Sequence, residues 1–344
     1  MIKGYTLSPN HQSESEASLV SIFTPVRSEL KAVENQLVSW SKTSSQSLRA
    51  MARQTISRPG KLIRPGLFLL MTGHFGYQGK DRIEAAATIE AIHAASLIHD
   101  DIIDDSALRR GKATALKAFG PEYSLLFGDY LFIKSISRAL NFKNKKIAQI
   151  LSEASGQMIE GEIEELTQSY NLKISENTYF KIISKKTASL FQAIGELAAE
   201  LAGTPEDLSQ ELKAYGFNLG LVYQIVDDLL DLQGDSDETG KARFSDWQEG
   251  RITLPVIRAL KTWPEKQKKA AASWLKKEKK AQKLPADGFN NFLSELEKSG
   301  AISSSFRTAN KLADKAKSYL AKLEASPYQE SLVKLVDFVL KRKN

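Results

Sequence analysis

The stretch DRIEAAATIEAIHAASLIHDDIIDDSAL, residues 81–108, is rich in Ala, Ile and Leu and carries no helix breaker, which predicts one long buried helix ending in an acid cluster. On that helix Asp100 and Asp104 are i,i+4 neighbours on one face, with Asp101 roughly 100° round. The run YQIVDDLLD, residues 223–231, repeats the arrangement with Asp227, Asp228 and Asp231 in a second apolar stretch. Each cluster aims several acids the same way with no cation between them. Such charge on a half-buried helix needs neutralising, and hard oxygen ligands at this spacing suit divalent Mg²⁺. The simplest arrangement is two helices facing each other across a cavity, with metal ions and an anionic substrate between them.

Basic residues surround these two stretches. His93 lies seven residues before Asp100 and so on nearly the same face. Arg109 and Arg110 follow the first cluster at once, and their fork-shaped donors suit bidentate recognition of a diphosphate. Upstream, RPGKLIRPG at 58–66 sets Pro65 in the first turn of a helix, so Lys61 and Arg64 stand at a helix N-terminus, where anions are favoured. Lys185, Lys186 and Thr187 interrupt an otherwise apolar helix expected from Glu176 to Leu201, and Gln224 sits on the aspartate side of its own helix. The polar loop from Gly234 to Gly250 carries Lys241, with Arg251 just beyond, and its composition suits a mobile lid or an idle surface loop equally. Helical spacing also predicts a packing helix from Leu19 to Met51, with Pro25 in its first turns, and further helices at Ser124 to Leu140, Ile147 to Gln168 and through the tail from Phe289 to Asn344. With no strand-like alternation and no short internal repeat, the expected fold is all-α.

At 344 residues, 42% hydrophobic and 26% charged, the chain has the composition of an ordinary globular protein. Its net charge of +7 suits phosphate-bearing ligands, nucleic acid or an anionic membrane surface without choosing among them. No Cys is present, which excludes disulfides, thiolate zinc sites and a cysteine nucleophile. Residues 1–18 read as a polar extension without the apolar core of a secretory signal, and 19–344 as the helical domain; no apolar run reaches the ~20 residues of a membrane span. A cytoplasmic protein is expected. Between Lys266 and Lys283 the chain holds eight Lys and one Glu, the pattern of a solvated helical hairpin, with Trp274 and Leu275 leaving transient membrane-surface contact open.

The runs GKLIRP (60–65), HAASLIHDDIIDDSALRRGKAT (93–114), GDYL (128–131), KKT (185–187), YQIVDDLLD (223–231), GK (240–241) and GRITLP (250–255) resemble those of the trans-isoprenyl diphosphate synthases. They occur in family order and, with the helical tail, span nearly the whole chain after about residue 19. The resemblance implies an antiparallel helical bundle around a deep central cavity, the isoprenoid synthase fold. It also implies Mg²⁺ held by Asp100, Asp104 and Asp227, assisted by Asp101, Asp228 and Asp231. Arg109, Lys186 and Lys241 match contacts to an allylic diphosphate such as farnesyl diphosphate, and Thr187 and Gln224 match groups near a carbocation. Lys61, Arg64, His93 and Arg110 match the site for isopentenyl diphosphate. Arg251 stands where the family usually has Lys, keeping the diphosphate-binding charge while changing its shape.

In this family, bulky aromatics shortly before the first acid cluster close the cavity floor. Here Ala95 is fifth upstream of Asp100, flanked by Ala94 and Ser96 with Ala91 one turn below, so the expected product is longer than a farnesyl chain. The alternatives are a short-chain farnesyl or geranylgeranyl synthase and a non-catalytic subunit of a heterodimeric synthase; a terpene cyclase and a metal-buffering protein rank lower. The resemblance is compatible with a homodimer or with a heterodimer containing a small regulatory subunit, and no nucleic-acid partner is expected.

Overall fold

Helices form wherever apolar positions recur at helical spacing. The computed structural model describes residues 18–40, 42, 45–55, 60–109, 111–233, 244–278 and 286–342, and among these the chain is almost wholly helical. A 3₁₀ turn at Thr24–Val26, opened by Pro25, leads into α1 (Arg27–Trp40) and α2 (Gln46–Thr55). The single helix expected from Leu19 to Met51 is therefore divided. At the start of α2 the Ser45 hydroxyl accepts from the Leu48 N–H at 3.4 Å.

Next come α3 (Ile63–His74), α4 (Asp81–Ile103), α5 (Ala115–Phe119), α6 (Pro121–Leu140) and α7 (Lys146–Gln168). Then α8 (Glu176–Ile183), α9 (Ser189–Ala202), α10 (Glu206–Gln233) and the short α11 (Ser245–Gln248) follow. The chain closes with α12 (Leu254–Thr262), α13 (Glu265–Glu278), α14 (Ala286–Lys298), α15 (Ala301–Tyr319) and α16 (Pro327–Lys341). Helix α4 stops five residues before the expected end at Leu108. Asp105 takes a φ of 48°, and Leu108 and Arg109 pair with Ala113 and Lys112 in a two-residue hairpin, β1 and β2, with Gly111 at positive φ.

The helices make an all-α bundle around a cavity. Helix α4 packs on α1, α3 and α6, α6 continues to α7, and α10 packs on α9 and α15. Glycines set the closest of these approaches: a Cβ on Gly195 would lie 2.2 Å from the Leu212 carbonyl oxygen, and one on Gly216 equally near that of Phe191. Helices α9 and α10 thus meet backbone to backbone, which fixes the depth at which α10 carries its acids. Among the described residues no helix is long and apolar enough to cross a membrane.

Candidate active site

Helix α4 turns His93, Ser96, Leu97, Asp100 and, at its C-cap, Asp104 toward a cavity of about 720 Å³, one stripe of a helical surface. Another wall is α10, which contributes Tyr223, Gln224, Asp227, Asp228 and Asp231. The two acid clusters therefore share one space, as their spacing predicts. Asp101 is the exception: it is buried away from the cavity and accepts from Arg109 Nε at 2.8 Å.

The acids of α10 are tightly held. Asp228 accepts from the Tyr179 hydroxyl at 2.5 Å and from Gln224 Nε2 at 2.8 Å, while Gln224 Oε1 accepts from the Thr187 hydroxyl at 2.6 Å. The Gln224 amide is thereby oriented at both ends. Asp231 accepts from the Ser245 N–H and hydroxyl at 3.0 and 2.5 Å and from the Asp246 N–H at 3.2 Å. Burial, with nearby Asp246 adding to it, pushes the Asp228 carboxyl well above the usual carboxylate range and Asp231 up to about 7. Burial also raises Asp100, against the pull of Lys186 and Arg109.

The expectation of acids without intervening cations is corrected in three dimensions. No cation stands inside either cluster along the chain, yet Arg251 Nη1 meets Asp104 at 2.9 Å and Arg342 Nη2 meets Asp227 at 2.6 Å. Arg251 also grips Asp246 at 2.9 Å and contacts Glu249. Arg342, just past α16, lies 3.7 Å over the Tyr223 ring and donates to the Tyr223 carbonyl at 2.6 Å.

The helix expected from Glu176 to Leu201 opens into a π turn at Ser184–Ala188, a widening frequently found at functional positions. The turn carries Lys186 and Thr187 to the cavity wall. Gly161 on α7 makes room for it, since a Cβ there would lie 2.4 Å from the Lys186 backbone nitrogen. Lys186 Nζ sits 2.5 Å from both Glu162 and Glu165. Burial works against the Lys186 charge, but Glu165, Glu162 and Asp100 outweigh it and raise the pKa of the ammonium. Lys185 points away and pairs with Glu160 and Glu164 at 2.9 and 2.7 Å.

At the start of α3, Lys61 and Arg64 line the same cavity. Arg64 Nη1 meets His93 Nε2 at 2.9 Å, and its guanidinium lies 4.8 Å over the Phe191 ring. Arg109 also reaches the wall, whereas Arg110 and Lys241 lie outside the described residues. Sequence reasoning missed Glu162, Glu165, Tyr179, Asp246 and Arg342. The i,i+3 spacing of Glu162 and Glu165 beside Gly161 was a readable signal; Arg342 had none beyond its charge. The floor also differs from expectation, because Ala95 is packed into the core and Ser96 and Leu97 face the cavity.

The polyprenyl synthetase family model matches residues 45–287. The chain belongs to this family. Among its polyprenyl synthetase relatives, it is 32% identical to an octaprenyl diphosphate synthase of Escherichia coli over 86% of this chain and 90% of that one. It is also 32% identical to heptaprenyl diphosphate synthase component 2 of Geobacillus stearothermophilus, over 94% of this chain and 97% of the relative. A solved polyprenyl synthase of Caulobacter crescentus, complexed with calcium and isoprenyl diphosphate, superposes with a TM-score of 0.87 at 31% identity, covering 95% of this chain and 98% of that one. The all-α bundle is thus a polyprenyl synthetase fold, and the chain is a prenyltransferase.

Proposed function

We propose that this prenyltransferase is an all-trans polyprenyl diphosphate synthase, condensing isopentenyl diphosphate head-to-tail onto an allylic diphosphate and yielding a medium-to-long chain. The observation that carries this reading is one cavity lined at once by the acids of both helices and by two separate sets of cations.

The donor set fits Mg²⁺, because Asp100, Asp104, Asp227 and Asp231 offer hard oxygens to one space and buried carboxyls gain from a cation. Among the described residues no three acids or histidines already converge as a metal cage. Arg251 and Arg342 draw Asp104 and Asp227 aside, so these pairs would have to exchange. Asp228 supports from behind through Gln224, and Asp101 by holding Arg109. When bound, Mg²⁺ would neutralise the negative charge that grows on the departing diphosphate.

Lys186 and Arg109, with Arg251 and Lys241, would grip the allylic diphosphate, their cationic donors favouring the transition state in which its C–O bond breaks. The Thr187 hydroxyl and Gln224 carbonyl, hydrogen-bonded to each other at 2.6 Å on the cavity wall, would offer oxygen dipoles to an allylic cation. Lys61, Arg64 and His93, with Arg110, would hold isopentenyl diphosphate so that its double bond attacks that cation, after which the released diphosphate takes the proton. Ile102, Ile103, Met158, Ile159 and Ile163 line the cavity and, with substrate bound, would shield the cation from water. A terpene cyclase would have no use for the cations around Arg64.

A stripe of exposed Leu126, Ile133 and Leu140 at seven-residue spacing on α6 supports assembly, with a second copy of this chain as the proposed occupant; a small regulatory subunit is the other outcome of a sedimentation measurement. The direct test is incubation with Mg²⁺, farnesyl diphosphate and labelled isopentenyl diphosphate, then sizing of the lipid. Elongation beyond the primer is expected, and Asp100→Ala or Asp227→Ala should abolish it with the helical signal intact. No elongation by the isolated chain would refute an autonomous synthase and favour an obligate partner or a non-catalytic subunit.

A further inference from the structure

Helix α13 carries charge that the active site does not use. Its sequence EKQKKAAASWLKKE sets Lys266, Lys269, Lys276 and Lys277 within a sector of about 100° around the helix. All four are exposed, while Ala271 and Leu275 on the opposite side are buried. Trp274 packs edge-on against Phe292 at 5.5 Å. The apolar face is thus used on the protein itself, and the lysine face looks outward.

Several lysines elsewhere on the surface are paired: Lys146 with Glu200, Lys213 with Glu196, Lys317 with Asp337 and Lys322 with Glu211. On α13 Lys268 reaches Glu265 at 3.3 Å, and the four lysines of the outer sector form no ion pair with a described residue. They make one unneutralised field about 17 Å long from Lys266 to Lys277. The helix is also joined to the active-site end of the fold. Phe292 meets Trp274 edge-on and Trp247 at a tilt, and Trp247 belongs to α11, whose Ser245 and Asp246 hold Asp231.

We propose that this lysine face adheres to an anionic lipid bilayer. The purpose of the contact rests on the proposed function, because a long prenyl chain is insoluble in water and must pass into lipid; the adhesion itself does not. With its apolar side buried, α13 adheres by charge rather than by insertion. A polynucleotide would meet the same charge, but the lysine sector offers no outward aromatic on which bases could stack.

Pelleting the full chain with vesicles of phosphatidylcholine alone, and of phosphatidylcholine mixed with phosphatidylglycerol, tests the proposal. Only the anionic vesicles should carry the protein down, and about 0.5 M salt should release it. Replacing the four together, Lys266→Gln, Lys269→Gln, Lys276→Gln and Lys277→Gln, should lower partitioning on the order of a hundredfold. Helical content and prenyl transfer in detergent should be unchanged. Failure of the native chain to bind anionic vesicles, or equal binding by the fourfold variant, overturns the proposal. So does capture by duplex RNA under conditions that leave the vesicles bare. Because pelleting needs no substrate, a chain that binds vesicles without elongating prenyl chains refutes the proposed function and leaves the adhesion standing.

Discussion

The same substitution, made twice on α7 five residues apart, should have opposite signs. At Gly156 a Cβ meets nothing within 4 Å, so Gly156→Ala removes backbone freedom from an exposed helical position and should stabilise by about 0.5–1 kcal/mol. At Gly161 the Cβ would fall 2.4 Å from the backbone nitrogen and 2.8 Å from the Cα of Lys186. Neither atom can rotate away, so overpacking in the upper part of its usual range, roughly 2–3 kcal/mol, outweighs the same helical gain and leaves a net loss of about 1–2.5 kcal/mol. With an unfolding entropy of about 2.1 cal/mol/K per residue over 344 residues, that loss lowers Tm by roughly 1.5–3.5 °C, while Gly156→Ala raises it by about 1 °C. Turnover should separate the pair further. The displaced π turn carries Lys186 and Thr187, and a shift near 1 Å costs on the order of a hundredfold in rate. Calorimetry and prenyl transfer at saturating substrate check both numbers. If the two variants moved Tm in the same direction and turned over alike, the claim that α7 seats the π turn through Gly161 would be refuted.

Three further outcomes follow from the site. Arg251→Lys keeps a charge but not the fork that spans Asp104, Asp246 and Glu249, and should destabilise the metal-free protein by about 1–2 kcal/mol; equal denaturant midpoints would contradict this. Asp231 has a folded-state pKa of about 7 against an ordinary 3.8, so folding favours its protonated form. Its contribution is complete below about pH 4 and is lost as pH rises through about 7, at no more than about 1.4 kcal/mol per pH unit. Metal-free Asp231→Asn should lack that decline, and parallel stability profiles for the two proteins would sink the argument. Ser96→Phe, on the cavity wall one turn before Asp100, should shorten the product at little cost in Tm, whereas Ala95→Phe should overpack the core. Product sizing and melting of the two variants distinguish these effects.

What the sequence disclosed and what it hid divide along one line. Asp100, Asp104, Asp227 and Gln224 were legible because one helix carries each group, and a 3.6-residue period suffices to set them on a face. His93 and Arg64 were readable as separate signals, and only folding brings them to 2.9 Å. The end of α4 was missed because DDSALRRG contains no breaker before Gly111; the stop comes from Asp105 in a left-handed conformation, which no pattern announces. The partners of the acids were hidden for a deeper reason. Arg251 and Arg342 come from segments 147 residues beyond Asp104 and 115 beyond Asp227, and Glu162 and Glu165 reach Lys186 from α7. Reading along the chain, the acids look uncompensated; in space, each cluster already has its arginine. Under the proposed metal assignment, Asp104 and Asp227 would exchange one cation for another. A guanidinium expelled alone into a buried site would be costly, but one expelled beside an incoming diphosphate acquires a new anion. On that assignment the ion pairs at Asp104 and Asp227 would bias the cavity toward taking up metal and diphosphate together.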